Sequence, residues 1–111
     1  FLPPLAAGSP GPFFEVRTYT LRPSGLAHIL ASWEAAIPQR IARSPLTGAM
    51  YAIEGDTPRY MHIWPYASLD ARFSIRATAV ADGVWPPKGG PDHILTMRNA
   101  IYVAAPFSPI R

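Results

Sequence analysis

The run from Tyr60 to Tyr66 constrains the fold of this 111-residue chain most, because its side chains alternate in type. A period of two predicts a β-strand whose successive side chains point to opposite faces. Solvated strand faces are usually charged or small, and faces packed under helices are usually aliphatic. This strand instead carries a ladder of rings with polar tips, which we expect to meet a ligand, a nucleic-acid base or a second subunit. The members of this ring ladder are Tyr60, His62, Trp64 and Tyr66.

Three further strands are predicted around the ladder strand. The first places Glu15, Arg17 and Tyr19 on one face by the same alternation. The second is joined to the ladder strand by a tight turn over residues 54–58. The three strands are Phe13 to Leu21, Gly48 to Glu54, and Arg98 to Ala104.

Apolar residues at helical spacing predict two helices between these strands. Ser24 is the expected N-cap of the first helix, and Pro38 should kink or end it. Its buried stripe is Leu26, Ile29, Leu30, Trp33, Ile37 and Ile41. Ser68 is the expected cap of the second helix, which runs out near residues 82–83. Its buried stripe is Leu69, Phe73, Ala77 and Val80.

The order β-α-β-β-α-β predicts an α+β, ferredoxin-like domain with an antiparallel sheet and both helices on one face. We expect the aliphatic strand residues, among them Val16, Met61 and Ile63, to pack against the helices. The opposite face would then expose the ring ladder beside Glu15 and Arg17. Because monomers rarely expose so large a patch, a second copy of the chain is the expected cover.

Composition limits the classes of function. A content of 49% apolar and 15% charged residues is typical of one folded domain. The absence of cysteine excludes disulfides, thiolate metal ligands and cysteine nucleophiles. The net charge of +3 is dispersed along the chain, which weakens a nucleic-acid hypothesis. No metal-ligand spacing, phosphate-binding loop or run of about 20 apolar residues occurs, so no metal, cofactor or membrane span is expected.

Residues 1–12 are rich in proline, glycine and alanine and show no periodicity. They predict a flexible arm that precedes a domain over residues 13–109. The cytoplasm is the expected compartment. Leu2, Leu5 and Ala6 leave open that the arm is a processed leader.

A set of motifs follows a fixed order along residues 13–109. The motifs are Phe14 to Leu21, Pro23-Ser24-Gly25, Trp33, Gly48, the turn Glu54-Gly55, His62 to Tyr66, Ser68-Leu69 with Arg72 and Arg76, Asp82 with Trp85, and Ile101 to Pro109. The ordered set resembles the NIPSNAP family. The resemblance implies a dimeric α/β barrel, in which two ferredoxin-like sheets enclose a space, and it brings no catalytic residues. Likeness of fold carries little weight about function.

Eight side chains are the candidates for a ligand-binding site. Rings with polar tips are typical of small-molecule pockets. Arg76 on the second helix is expected to be partly buried, and a partly buried guanidinium needs either a carboxylate partner or an anionic ligand. His62 is the best candidate for a general acid or base, although a histidine hydrogen-bonded in a dimer core explains it as well. The eight are Glu15, Arg17, Tyr19, Tyr60, His62, Trp64, Arg72 and Arg76.

Three functional hypotheses remain, and whether the protein is an enzyme stays open. The first is a homodimeric barrel that binds a small hydrophobic or aromatic molecule between the two sheets. The second is a structural or protein-interaction module without a ligand. The third is binding of single-stranded RNA, against which the ladder strand lacks the motif of RNA-recognition domains.

Overall fold

The computed structural model describes residues 8–111, and the part of the predicted arm before Gly8 lies outside this range. The elements are β1 (Phe13–Leu21), α1 (Gly25–Ile41), β2 (Gly48–Tyr51), β3 (Arg59–Tyr66), α2 (Leu69–Ala81) and β4 (Ile94–Val103), with a 3-10 turn over Pro91–His93 before β4. The predicted order is confirmed. The second strand ends at Tyr51 and not at Glu54, and the last begins at Ile94 and not at Arg98.

The sheet is antiparallel and has the ferredoxin-like strand order β2-β3-β1-β4. β1 therefore lies between β3 and β4. Glu15 stands opposite Trp64 on β3, and Arg17 stands opposite His62 on β3 and Asn99 on β4. Because paired residues point to the same side of a sheet, the acidic and basic residues of β1 share a face with the ring ladder, as the alternation predicts.

The helices cover the face opposite to the one predicted. Tyr60, His62 and Trp64 are at most 3% exposed, and the Trp33 ring of α1 lies 4.5 to 6.2 Å from all three ring centroids. The aliphatic residues Met61 and Ile63 lie instead on the uncovered side. The expectation was wrong because alternation shows which residues share a face, but not which face is covered. Aromatic rings bury more area than aliphatic side chains, and here they form the core.

The N-cap of α1 differs from its prediction. Ser24 adopts a left-handed φ of 65° and its side chain makes no cap hydrogen bond. Pro38 does not end the helix, which continues to Ile41. The stripe is buried at Ile29, Trp33 and Ile37, while Leu30 is exposed.

α2 is capped as predicted but turned about its axis. The Ser68 hydroxyl accepts a hydrogen bond of 3.0 Å from the Ala71 amide. The predicted buried stripe is wrong, because all its members are exposed: Leu69, Phe73, Ala77 and Val80. Ala79 is buried instead, and Arg72 and Arg76 are half-buried. This rotation brings both arginines over the sheet.

The uncovered side of the sheet, which we call the open face, is covered at one end by the chain's own termini. The Gly11 amide donates to the Arg111 carbonyl at 2.9 Å, and the Arg111 amide donates to the Gly8 carbonyl at 3.0 Å. Phe14 is buried at this end. The rest of the open face has no cover within residues 8–111; its side chains include Val16, Thr18, Thr20, Met61, Ile63, Ala100 and Tyr102.

Candidate functional site: a cleft between helices and sheet

A cavity of about 180 Å³ lies between the helices and the sheet. We call it the cleft. An engineered cavity of about 150 Å³ holds benzene, so this volume suits one small ring system. The cleft combines aromatic rings with two guanidinium groups. Its lining includes Arg17, Tyr19, Trp33, Arg76, Trp85 and Met97.

The loop that follows α2 holds Trp85 against the cleft. The Trp85 amide donates to the Ala79 carbonyl at 3.2 Å, and its ring meets Trp33 edge to face with centroids 4.8 Å apart. Edge-to-face pairs are favourable because the positive edge of one ring meets the negative face of the other. Two tryptophans from different elements thus form one apolar wall.

Glu15 is a fully buried carboxylate beside the cleft. Its Oε2 atom accepts hydrogen bonds from Arg72, from Arg17 at 3.3 Å and from Asn99 at 3.1 Å, and its Oε1 atom accepts one from Arg76 at 3.4 Å. Burial opposes ionisation, but the bonds from Arg72 and Asn99 and the nearby charges outweigh it, so the pKa of Glu15 lies below its usual value. The carboxylate is therefore ionised at neutral pH.

His62 is buried behind the cleft, with its ring 4.9 Å from Tyr19 and 4.5 Å from Trp33. The Trp64 Nε1–H donates to His62 Nδ1 at 2.6 Å, so the neutral ring carries its proton on Nε2, which has no partner among the described residues. Burial, reinforced by the charge of Arg17, lowers the pKa of His62 to about 3. A neutral imidazole with such a pKa is poorly matched to acid or base chemistry near pH 7.

Arg40 of α1 is a buried cation that the sequence did not single out. Its guanidinium carbon lies 4.1 Å from the Trp64 ring, and its nitrogens donate to Ser44 at 2.7 Å and to Tyr66 at 3.0 Å. Burial lowers the pKa of Arg40, and the hydrogen bond that Arg40 donates to the Tyr66 hydroxyl partly opposes this. Arg40 therefore supports the ring ladder from the helix side and adds positive charge to the interior.

The structure brings the eight predicted site residues into one contiguous group. Arg17, Tyr19 and Arg76 line the cleft, Glu15 and Arg72 join them by ion pairs, and three ladder rings lie behind Tyr19 and Trp33. That these residues bind a ligand stays a prediction.

The sequence candidates omitted Trp33, Trp85 and Asn99. Trp33 lies on the apolar stripe of α1, where a core role is the ordinary interpretation. Asn99 lies within the strand predicted from Arg98 to Ala104, but its position opposite Arg17 depends on the pairing of β4 with β1, which alternation alone does not give. Trp85 lies in an irregular, proline-rich loop, which offers no periodicity from which its direction can be predicted.

Two further findings concern residues 8–111. No group of three or more histidine, aspartate or glutamate side chains in this range is placed to hold a metal ion. No helix in the same range has both the length and the apolar character needed to cross a membrane.

Comparison with known proteins identifies relatives over most of the chain. The sequence profile of the NIPSNAP family matches residues 14–109. Protein NipSnap homolog 3B from Mus musculus is 34% identical over 87 residues, which cover 74% of this chain and 35% of that protein. The chain spans about a third of the length of the curated relatives it matches.

Solved structures show the same fold. One protein from Agrobacterium tumefaciens is 31% identical with a TM-score of 0.82, and the match covers 89% of this chain and 99% of that chain. An uncharacterized NIPSNAP-like domain protein from Burkholderia xenovorans is 29% identical with a TM-score of 0.79, covering 87% of this chain and 88% of that one.

Proposed function

The chain belongs to the NIPSNAP family, and we propose that it is a homodimer that binds a small hydrophobic or aromatic molecule in the cleft. The cleft itself carries this proposal, because Tyr19, Trp33 and Trp85 supply apolar walls while Arg17 and Arg76 supply a few polar groups. Apolar walls with a small number of placed polar groups are typical of small-molecule sites.

The cleft is a better candidate than the space between two sheets. That expectation depended on the ring ladder facing the second subunit, whereas the ladder lies under the helices. A depression of about 580 Å³ on the open face is lined largely by polar groups such as Thr18, Thr20 and Arg98. The same reversal removes the argument for RNA binding, because RNA-recognition domains stack bases on accessible rings of their sheet.

Ligand binding is tested by NMR titration of the uncharged aromatic compound indole. The chain has three tryptophans, so the side-chain N–H signals of these three residues in the isotope-labelled protein report directly on the core. We expect the signals of Trp33 and Trp85 to shift saturably. The variant Trp85→Ala should weaken binding about tenfold or more, since burial of one aromatic ring contributes a few kcal/mol.

Phe73→Ala is the matched control for this titration. Phe73 is an aromatic residue of α2 that is 72% exposed and does not line the cleft. It should leave the affinity for indole unchanged. Equal affinities in Trp85→Ala and the wild type, or no saturable shift in the wild type, would contradict the proposal.

The homodimer is supported by the composition of the open face. Met50 and Tyr102 are 48% and 55% exposed at its edges, and Met61 and Val16 lie between them. Four strands of this length present roughly 500 Å² on one side. Packing two sheets face to face would remove the apolar side chains of this surface from water.

Light scattering coupled to size exclusion tests the dimer. The wild-type chain should elute with twice the mass of one chain. Met61→Glu places a charge in the middle of the open face and should give a monomer, because burying an unpaired carboxylate is costly. Phe73→Glu, an equal change on the helix side, should remain dimeric. A monomeric wild type would refute the homodimer.

Protein interaction is the second candidate function, and α2 favours it. Leu69 and Phe73, one turn apart, form an apolar stripe of which each member is more than half exposed and neither lines the cleft. A module that acted only through this stripe would show no saturable shift of the Trp33 and Trp85 signals with indole. The NMR titration therefore separates the two candidates.

A further inference from the structure

Positive charge exceeds negative charge beside the cleft. Three guanidinium groups, those of Arg17, Arg72 and Arg76, share the single carboxylate of Glu15. The other two ion pairs of residues 8–111, Arg43 with Asp82 and Arg59 with Asp56, involve none of these groups. A half-buried cation without a full partner is costly, so the cluster favours an additional anion.

Two of these three arginines reach the cleft with nitrogens to spare. Arg76 contacts Glu15 through one nitrogen at the long distance of 3.4 Å, and its other nitrogens make no hydrogen bond with the described residues. Arg17 uses Nε for the Tyr19 hydroxyl and one terminal nitrogen for Glu15, both at 3.3 Å. Its second terminal nitrogen makes no such bond. A guanidinium presents its donors in a planar fork that matches a carboxylate.

We propose that the ligand of the cleft is a small aromatic acid, whose carboxylate binds Arg76 and Arg17 and whose ring packs against Trp33 and Trp85. This inference rests on the proposed ligand-binding function and adds the chemical class of the ligand. The volume of about 180 Å³ limits the ring system to one or two rings. Neutral His62 behind the wall adds no competing charge at neutral pH.

The test compares benzoate with its uncharged isostere benzamide by isothermal titration calorimetry and by the tryptophan NMR signals. Both probes have the same shape, so a difference in affinity reports on charge. We expect the wild-type protein to bind benzoate at least about tenfold more tightly, as charge-assisted hydrogen bonds are the stronger kind. This comparison needs no substitution.

Variants then locate the anion site. Arg76→Met should abolish the preference for benzoate and leave benzamide binding in place. Arg76→Lys keeps the charge but loses the fork, and should retain part of the preference for benzoate. It is the variant to use if Arg76→Met fails to fold. Arg43→Met removes an arginine that is ion-paired outside the cleft and should keep the full preference.

Three outcomes would overturn the inference. Equal affinity of the wild type for the two probes would show that the cleft does not select an anionic ligand, while leaving the proposed function intact. A preference that survives unchanged in both Arg76 variants would place the anion elsewhere. Failure of benzoate, benzamide and indole alike to shift the Trp33 and Trp85 signals would overturn the proposed function as well.

Discussion

The carboxylate of Glu15 accepts hydrogen bonds from four side chains, three of them cationic. Glu15→Gln removes the negative charge but keeps the shape, and it leaves the guanidinium groups without a counter-ion. Breaking a buried ion pair by removing one partner typically costs about 3–5 kcal/mol. We expect a loss of this order in the free energy of unfolding, measured by urea denaturation.

A pair at the surface is the comparison for Glu15. Asp56 contacts Arg59 at 2.9 Å, but its side chain is 82% exposed. Asp56→Asn should therefore cost less than about 1 kcal/mol, because water screens exposed pairs. Similar losses in both variants would contradict the role assigned to burial at Glu15.

The buried imidazole of His62 should make the fold sensitive to acid. Its folded-state pKa of about 3 lies below the ordinary 6.5, so between these values the unfolded chain binds a proton that the folded chain does not. Stability is then fully present above pH 6.5 and decreases as pH falls toward 3, by about 1.4 kcal/mol per pH unit. The lowered pKa of Glu15 also makes the folded protein less stable as pH falls, over a lower range of pH.

His62→Asn tests this dependence, because it retains an acceptor for Trp64 but cannot titrate. Urea denaturation at pH 6.5, 5.5 and 4.5 should show a smaller decrease for this variant than for the wild type. His28→Asn leaves His62 in place, so the contribution of His62 should persist. Parallel curves for His62→Asn and the wild type would show that His62 is not a neutral core residue.

At the level of the elements, the residues that precede the two helices differ in how they affect stability. Ser68 caps α2 through its hydroxyl, whereas Ser24 before α1 makes no side-chain cap bond and has a φ of 65°. Ser68→Ala should destabilise the protein by about 1 kcal/mol through loss of the cap. Ser24→Gly should stabilise it by up to about 1 kcal/mol, because glycine adopts left-handed φ without a steric cost.

Thermal and urea denaturation of the two variants measure these changes. Ser24→Ala serves as the control for side-chain removal at a left-handed position and should change stability little. A loss at Ser24→Ala as large as that at Ser68→Ala would mean that both serines cap their helices.

The elements were predictable from the sequence because periodicity is local, but their orientation was not. The alternation of β1 and β3 correctly groups Glu15 and Arg17 with the ring ladder. Which face the helices cover depends on the sum of contacts over the whole sheet. On α2, Phe73 was expected inside and Ala79 was not, although Ala79 is buried and Phe73 exposed. At Ala79 the loop after α2 folds back on the helix, and the Val84 and Trp85 amides donate to the Ala79 carbonyl.

The same contrast applies to the candidate site. Its polar members could be predicted, because charged residues on an alternating strand are conspicuous. Arg40 and Trp85 could not, since they reach the site from a helix stripe and from a loop whose directions are set by tertiary packing. Sequence reasoning therefore found the residues of β1, β3 and α2 but not the enclosure that makes a cleft.

On the scale of the whole molecule, the sheet separates the two surfaces for which we propose ligand binding and association. One side of β1 faces the cleft through Arg17 and Tyr19, and the other faces the open side through Val16 and Thr18. Substitutions on alternate residues of one strand should thus change ligand binding or association separately. This division is the reason that the Met61→Glu and Trp85→Ala variants serve as controls for each other.

The proposed association through the open face would make unfolding depend on protein concentration. If the folded state is a dimer and the unfolded state is not, each tenfold increase in concentration stabilises the dimer by about 1.4 kcal/mol and raises Tm by roughly 3 °C. Scanning calorimetry across a hundredfold range should show this rise for the wild type and for Phe73→Glu. In Met61→Glu the dependence should vanish, because a monomer unfolds at a Tm that is independent of its concentration. A constant Tm in the wild type would mean that the open face of this sheet stays in water.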